Sequence, residues 1–302
     1  MKIVDIHAHI YPRINGVIKR KWVNSHHLGL VKIDNEYKQF LPPQFENTNS
    51  PVEVYMQYMK WLGISKAILM PNLCYGYYND YFIEAVNKYP NKLKGVAIVD
   101  LLSGKKSVES LNKIYKSKVL FGFKIATNIT YQYNKNGRII DKEVEGIWEC
   151  ISENKQPVFI HPSRIIDIED IVILAKKYKN INFIICHMGA DACFVEGINK
   201  GIYEWLLNEV YKFDNIYMDT STVPYYMKED YPFESSIKIV EQAYAKLGAE
   251  KLMWSSDYPD MCMYATLRQL INWVKLHCKK ISVSDREKIM GLNAERLFFK
   301  GE

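Results

Sequence analysis

Eight short runs rich in β-branched and other apolar residues recur along this chain, and their alternation with longer segments constrains the fold more than any other feature. They are KIVDIHAHI (2–10), KAILMPN (66–72), LKGVAIVD (93–100), LFGFKIA (120–126), PVFIHPS (157–163), NFIICHMG (182–189), NIYMDTS (215–221) and KLMWSSDYP (251–259). Runs this short, separated by segments of helical period, read as strands of a parallel sheet joined by crossover helices. In the connecting segment PVEVYMQYMKWLG (51–63), the spacing of Val54, Tyr55, Tyr58, Met59 and Leu62 predicts one buried helical face. Pro51 suits its first turn and Gly63 its C-cap. Eight such units in 302 residues match a (β/α)8 TIM barrel, with a doubly wound open sheet as the alternative. No linker, low-complexity tract or internal repeat divides the chain, so residues 1–302 read as one domain. Residues 11–50 and TYQYNKNGR (130–138) read as long loops at the C-terminal ends of the first and fourth strands, where barrels build pockets.

Composition narrows the partners. A hydrophobic content of 48% supplies a core and argues against disorder. The net charge of +6 is spread out, with Lys19, Arg20 and Lys21 the only notable run, so no nucleic-acid partner is expected and a mildly anionic small molecule fits better. The cysteines at 74, 150, 186, 193, 262 and 278 form no C-x-x-C pair, which suggests neither a disulfide framework nor a zinc finger. With no signal-peptide pattern in MKIVDIHAHI and no apolar run of membrane-spanning length, the expectation is a soluble cytoplasmic protein without a membrane partner.

Side chains alternate along a strand, so Asp5, His7 and His9 are expected to face into the barrel, with Val4, Ile6, Ala8 and Ile10 on the helices. His161, His187 and Asp257 each fall at or just after the end of another strand, so four strands bring imidazoles and a carboxylate to one mouth. Those are ligand types for zinc or a similar divalent ion, with a position left open for water. Asp5 reads either as an acceptor for an imidazole N–H or as a group satisfied by local backbone, and Asp219 either as a turn acceptor, the preferred reading, or as a hydrogen-bonding group in the pocket. Arg164 reads as a partner for a substrate carboxylate or as an exposed helix residue, and Cys186 as core. His26, His27 and His277 have no partner spacing and read as surface residues, while the tyrosines of NLCYGYYNDYF (72–82) either line a pocket or pack under a loop.

Taken together, His7-x-His9, His161 in FIHPS, His187 in CHMGA, Asp257 in WSSDYP and the closing GLNAERLF (291–298) resemble the amidohydrolase superfamily. More narrowly the chain resembles the amidohydrolase-2 group of metal-dependent hydrolases, lactonases and decarboxylases. The resemblance implies that His7, His9, His161 and Asp257 surround one divalent ion, zinc in the first place and manganese or another divalent ion next. It makes Asp257 the proton carrier between water and leaving group, and His187 a catalytic or supporting neighbour that stabilises an oxyanion or holds the substrate. Two-metal members bridge their ions with a carboxylated lysine on strand four. This group is mostly one-metal, so Lys124 reads as substrate-facing or structural. KLMWSSDYP, MYATLRQLINWV (263–274) and GYYNDYFIEAVNKYPNKLKGVAIVD (76–100) resemble the hydrolase branch, although Ser255 stands where glycine is usual. The expected function is hydrolysis of a small-molecule carboxylic ester, lactone or amide. The alternatives are non-oxidative decarboxylation of an aromatic or unsaturated acid, a hydratase, and a metal-binding scaffold that has kept the fold without catalysis. A homodimer is compatible with the group.

Overall fold

A computed structural model describes residues 1–18, 20–130, 136–194 and 200–299. Lys19 of the basic run and residues 131–135 of the loop expected at 130–138 lie outside them. The chain forms β1 (Ile3–Ala8), four short strands β2 (Asn15–Ile18), β3 (Lys21–Ser25), β4 (Leu30–Ile33) and β5 (Glu36–Gln39), and then β6 (Ile64–Leu69) and β7 (Leu93–Ala97). After these come β8 (Leu120–Ala126), β9 (Val158–His161), β10 (Phe183–Ile185), β11 (Ile216–Asp219) and β12 (Leu252–Met253). Each of the eight apolar runs supplies one strand of a parallel sheet in the order β1-β6-β7-β8-β9-β10-β11-β12. Helices alternate with the barrel strands, as with Val52–Leu62 before β6, Asn79–Lys88 after β6, Ile165–Lys177 after β9 and Glu234–Leu247 after β11, which makes the sheet a TIM barrel.

The barrel closes just beyond β12, whose two residues are too few for a full ladder. Ala8 bridges Tyr258 in parallel, the His9 N–H donates to the Tyr258 carbonyl at 2.6 Å, and the Asp257 N–H to the His7 carbonyl at 2.9 Å. The barrel interior is filled by Val4, Ile6, Ile68, Phe159, Ile184 and Met253 with their neighbours. Phe298, from the closing helix Asn293–Phe298, plugs this core against Phe159 at 5.6 Å between ring centroids.

Three expectations change. Simple alternation along β1 fails, because Val4 and Ile6 fill the barrel while Asp5 turns out to the Tyr55 hydroxyl on the helix Val52–Leu62. The register against β6 shifts between Ile3 and Val4 and again between Asp5 and Ala8, and the second shift carries His7 back to the interior side. On the helix Val52–Leu62 the buried residues are Val52, Tyr55 and Met59, and Val54 is exposed. Pro51 is its N-cap, and Gly63 closes it at φ 74°.

Residues 11–50 are more than a loop, since β2–β5 form a four-stranded antiparallel sheet. Its faces are mostly exposed, with Val23 and Val31 fully buried, so no strong apolar alternation marks it in the sequence. The sheet is docked at Gly16, where a Cβ would lie 2.3 Å from the carbonyl oxygens of Leu73 and Cys74. Gly16→Ala should therefore lower unfolding free energy by about 1–3 kcal/mol, measured as a lower urea midpoint. An unchanged midpoint would mean that this close approach does not hold the sheet.

Candidate active site and metal centre

The C-terminal ends of the strands surround a cavity of about 340 Å³ lined by His7, His9, Lys124, His161, His187 and Asp257 among others. His7 is buried at the end of β1, and its Nδ1 lies 3.0 Å from Asp219 Oδ2 at the end of β11. A carboxylate only accepts, so the proton sits on Nδ1 and the Nε2 lone pair faces the cavity, 3.4 Å from Lys124 Nζ. Burial and the neighbouring Lys124 charge lower its pKa to about 4, leaving the ring neutral near pH 7.

His187 is oriented by the same carboxylate at one remove. Its Nδ1 lies 2.7 Å from Ser221 Oγ, and that hydroxyl donates to Asp219 Oδ1. His187 thus also presents an Nε2 lone pair, and burial together with His161 holds its pKa well below the ordinary histidine value. The backbone runs left-handed through His187, Met188 and Gly189, with φ of 56°, 54° and 71°, and the His187 N–H donates to Asp219 at 2.9 Å. That turn places the imidazole over the mouth instead of in line with β10.

His9 donates from Nδ1 to the Met70 carbonyl at 2.6 Å, which leaves Nε2 facing Asp257 Oδ1 at 3.1 Å. A neutral ring so fixed points a lone pair at a carboxylate, an arrangement that needs a second proton or a cation between them. Burial opposes the imidazolium, but the hydrogen bond and charge of Asp257 outweigh it and raise the His9 pKa. Asp257 also has left-handed backbone, at φ 53°. Its Oδ1 lies 3.7 Å from His7 Nε2, and its Oδ2 accepts from the Thr222 hydroxyl. Burial would raise its pKa, yet the His9 hydrogen bond and the neighbouring His187 and His7 hold it well below the usual carboxylate range.

One ligand atom each from His7, His187 and Asp257 lies within 4.8 Å of the others, and two neutral imidazoles with one carboxylate fit a zinc-like divalent ion. His9 adjoins that group through Asp257. His161 does not join it: its Nε2 lies 2.7 Å from Asp191 Oδ2, and the same carboxylate accepts from the Tyr226 hydroxyl. The geometry therefore brings His187, rather than His161, to the donor atoms. Another set, His7, Cys186 and Asp219, is already engaged in hydrogen bonds and supports the site from below.

Lys124 is buried, with Nζ 3.1 Å from Cys186 Sγ and 3.4 Å from His7 Nε2. Cys186 is in the barrel core as expected, but its thiol also takes the lysine's hydrogen bond. Arg164 does not reach the cavity. Its guanidinium donates to Asp167 at 3.0 Å and to the Gly137 carbonyl at 2.8 Å, beside the start of helix Ile165–Lys177. Asp5 orients no imidazole side chain; it accepts from Tyr55, Ser256 and the His7 backbone.

Asp219 and Asp260 are the functional candidates that the sequence reading undervalued or missed. Burial would raise the Asp219 pKa, but His7 and the hydrogen bonds it accepts hold it far below the usual range. The signal available for it was an Asp-x-Ser pair closing a barrel strand. Asp260 lines the cavity three residues after Asp257 and accepts from the Tyr75 hydroxyl, while burial and the Asp257 charge raise its pKa to about 6. Tyr75 packs under the loop, stacked on Tyr11 at 4.3 Å and edge-on to His9 at 5.0 Å.

A sequence profile described as amidohydrolase matches residues 4–300. No curated protein matches the chain. Among solved structures, a probable 2-pyrone-4,6-dicarboxylic acid hydrolase from Acinetobacter baumannii with citric acid bound is 18% identical, with TM-score 0.73 over 99% of this chain and 100% of that one. An amidohydrolase from Burkholderia multivorans with bound zinc is 12% identical, with TM-score 0.68 and 98% of each chain covered. A 2,6-dihydroxybenzoate decarboxylase in complex with 2,6-dihydroxybenzoate is 17% identical, with TM-score 0.61 over 82% of this chain and 87% of that one. At these identities the likeness establishes the fold.

Two substitutions separate the roles. Asp219→Asn should lower affinity for a divalent ion about 10- to 100-fold, measured by metal content after dialysis against limiting zinc; full occupancy would detach Asp219 from the site. Arg164→Ala should cost about 0.5–2 kcal/mol of stability in a denaturation curve and leave substrate KM unchanged, whereas a raised KM would restore it to substrate binding.

Proposed function

Because the chain belongs to the amidohydrolase family, we propose that it is a metal-dependent hydrolase of a small-molecule carboxylic ester, lactone or amide. The observation that carries this reading is the convergence of His7, His9 and His187 on Asp257, with each ring's tautomer set by an acceptor behind it. A divalent ion bound there supplies Lewis acidity toward the substrate carbonyl and makes water acidic enough to attack near neutral pH. His7, His187 and Asp257 would hold the ion, with His9 completing the shell through its Nε2.

The remaining steps belong to the protein's own groups. Asp257 is ionised at neutral pH, so its carboxylate can take a proton from the attacking water and return it to the leaving oxygen or nitrogen. His187, whose Nδ1 proton is committed to Ser221, has no proton on Nε2 to give to an oxyanion, so a ligand role suits it better than the oxyanion role. Lys124 takes that part instead, as a buried N–H donor at the cavity floor that can hydrogen-bond the developing oxyanion. The decarboxylase alternative draws on one specific group, Asp260, whose raised pKa of about 6 would let it protonate the carbon that loses carbon dioxide.

Proton flow separates the two reactions. Metal-loaded protein given lactones, esters and carboxylated aromatics in weak buffer near pH ~6, with products identified by mass, should acidify the solution as a carboxylic acid is freed. Alkaline drift with release of carbon dioxide would move the protein to the decarboxylases. Asp257→Asn should retain the fold by circular dichroism and lose about 10²- to 10⁴-fold in kcat, and normal turnover would remove Asp257 from proton transfer.

A further inference from the structure

The outer half of the cavity differs in chemistry from its floor. Phe40, Tyr225, Met261, Met263 and Tyr264 line it, and Tyr225 and Tyr264 keep 41% and 57% of their surface exposed with ring centroids 4.9 Å apart. Contiguous exposed aromatics at the entrance of a reactive cleft mark a contact surface for a ligand, whereas isolated exposed aromatics need no such explanation.

The charges in the same cavity are the second observation. Among the described lining residues Lys124 is the single lysine or arginine, and it lies at the floor beside His7 and Cys186. Two carboxylates, Asp257 and Asp260, line the same cavity, and Asp260 Oδ1 is buried without a hydrogen-bond partner. Arg138 and Arg164 are engaged by Asp170 and Asp167. The Gln39 amide nitrogen is spent on the Leu28 and Leu41 carbonyls. Apart from Asn72, His161 and Thr222, a second carboxylate on a ligand would thus meet rings and thioethers in the described lining, next to a carboxyl group that disfavours it.

Resting on the reading that the reacting carbonyl sits at the floor, we propose that the substrate's other end is an uncharged aromatic or similarly flat apolar group seated on Tyr225, Tyr264 and Met263. That end of the substrate carries no carboxylate.

Direct binding tests this without turnover. Isothermal titration of the full chain with acetate, benzoate and benzene-1,3-dicarboxylate should rank benzoate about tenfold tighter than acetate, the size expected for one ring stacked on aromatic walls. The dicarboxylate should bind about tenfold more weakly than benzoate or worse. Tyr264→Ala should erase most of the benzoate advantage over acetate and Tyr264→Phe should keep it, because the ring makes the contact. Dicarboxylate binding as tight as benzoate, no benzoate binding, or an advantage unchanged in both Tyr264→Ala and Tyr225→Ala would each overturn the proposal. If the proton-flow assay rejects hydrolysis while this ranking holds, the hydrolase reading fails and the substrate class stands; the reverse pair of results fails the substrate class alone.

Discussion

At the seam where the barrel closes, the buried carboxyl of Asp5 accepts from the Tyr55 hydroxyl at 2.7 Å, the Ser256 N–H at 3.0 Å, the His7 N–H at 3.2 Å and the Ser256 hydroxyl. Because β12 has only two residues, ladder hydrogen bonds alone hold the last strand weakly against the first. The carboxyl joins β1, the segment after β12 and the helix Val52–Leu62 at one point. Burial raises its pKa, and the donors around it limit that rise to about 6, so it carries charge at neutral pH. The position of His7 and His9 opposite Asp257 follows from this join, since the Asp257 N–H donates to the His7 carbonyl across the same seam.

Two further carboxylates act on the imidazoles from behind. Asp219 accepts a hydrogen bond from His7 Nδ1 directly and is linked to His187 Nδ1 through the Ser221 hydroxyl, and Asp191 accepts one from His161 Nε2. Each such bond decides which ring nitrogen is free, and so whether a histidine can ligate or can only donate. Burial keeps His7 and His187 neutral, the state in which imidazole binds a metal. The left-handed backbone at His187 and Asp257 belongs to the same design, because each residue must leave its strand and turn back over the mouth.

The strands were legible because barrel strands are covered on both faces and therefore leave short, nearly continuous apolar runs. The closing helix was legible from GLNAERLF. The sheet β2–β5 was not, since it buries little and its polar strands resemble loop sequence. Val54 was placed on the wrong face of its helix because several overlapping stripes fit the same apolar residues, and packing selected the one through Val52, Tyr55 and Met59. For Arg164, a guanidinium three residues after a candidate ligand satisfied the spacing for substrate contact, but a nearer carboxylate at Asp167 captured it.

Residue types and their strand-end positions alone determined that imidazoles and a carboxylate would gather at one end of an eight-stranded barrel, because strand length and crossover connections leave few other arrangements. Which histidines face one another was decided only in three dimensions. The register shift in β1, the left-handed turn at His187 and the hydrogen bond from His161 to Asp191 are each set by partners far away in the chain. Local spacing carries periodicity but not the identity of a distant acceptor, and in this site the acceptor determines what each ring can do.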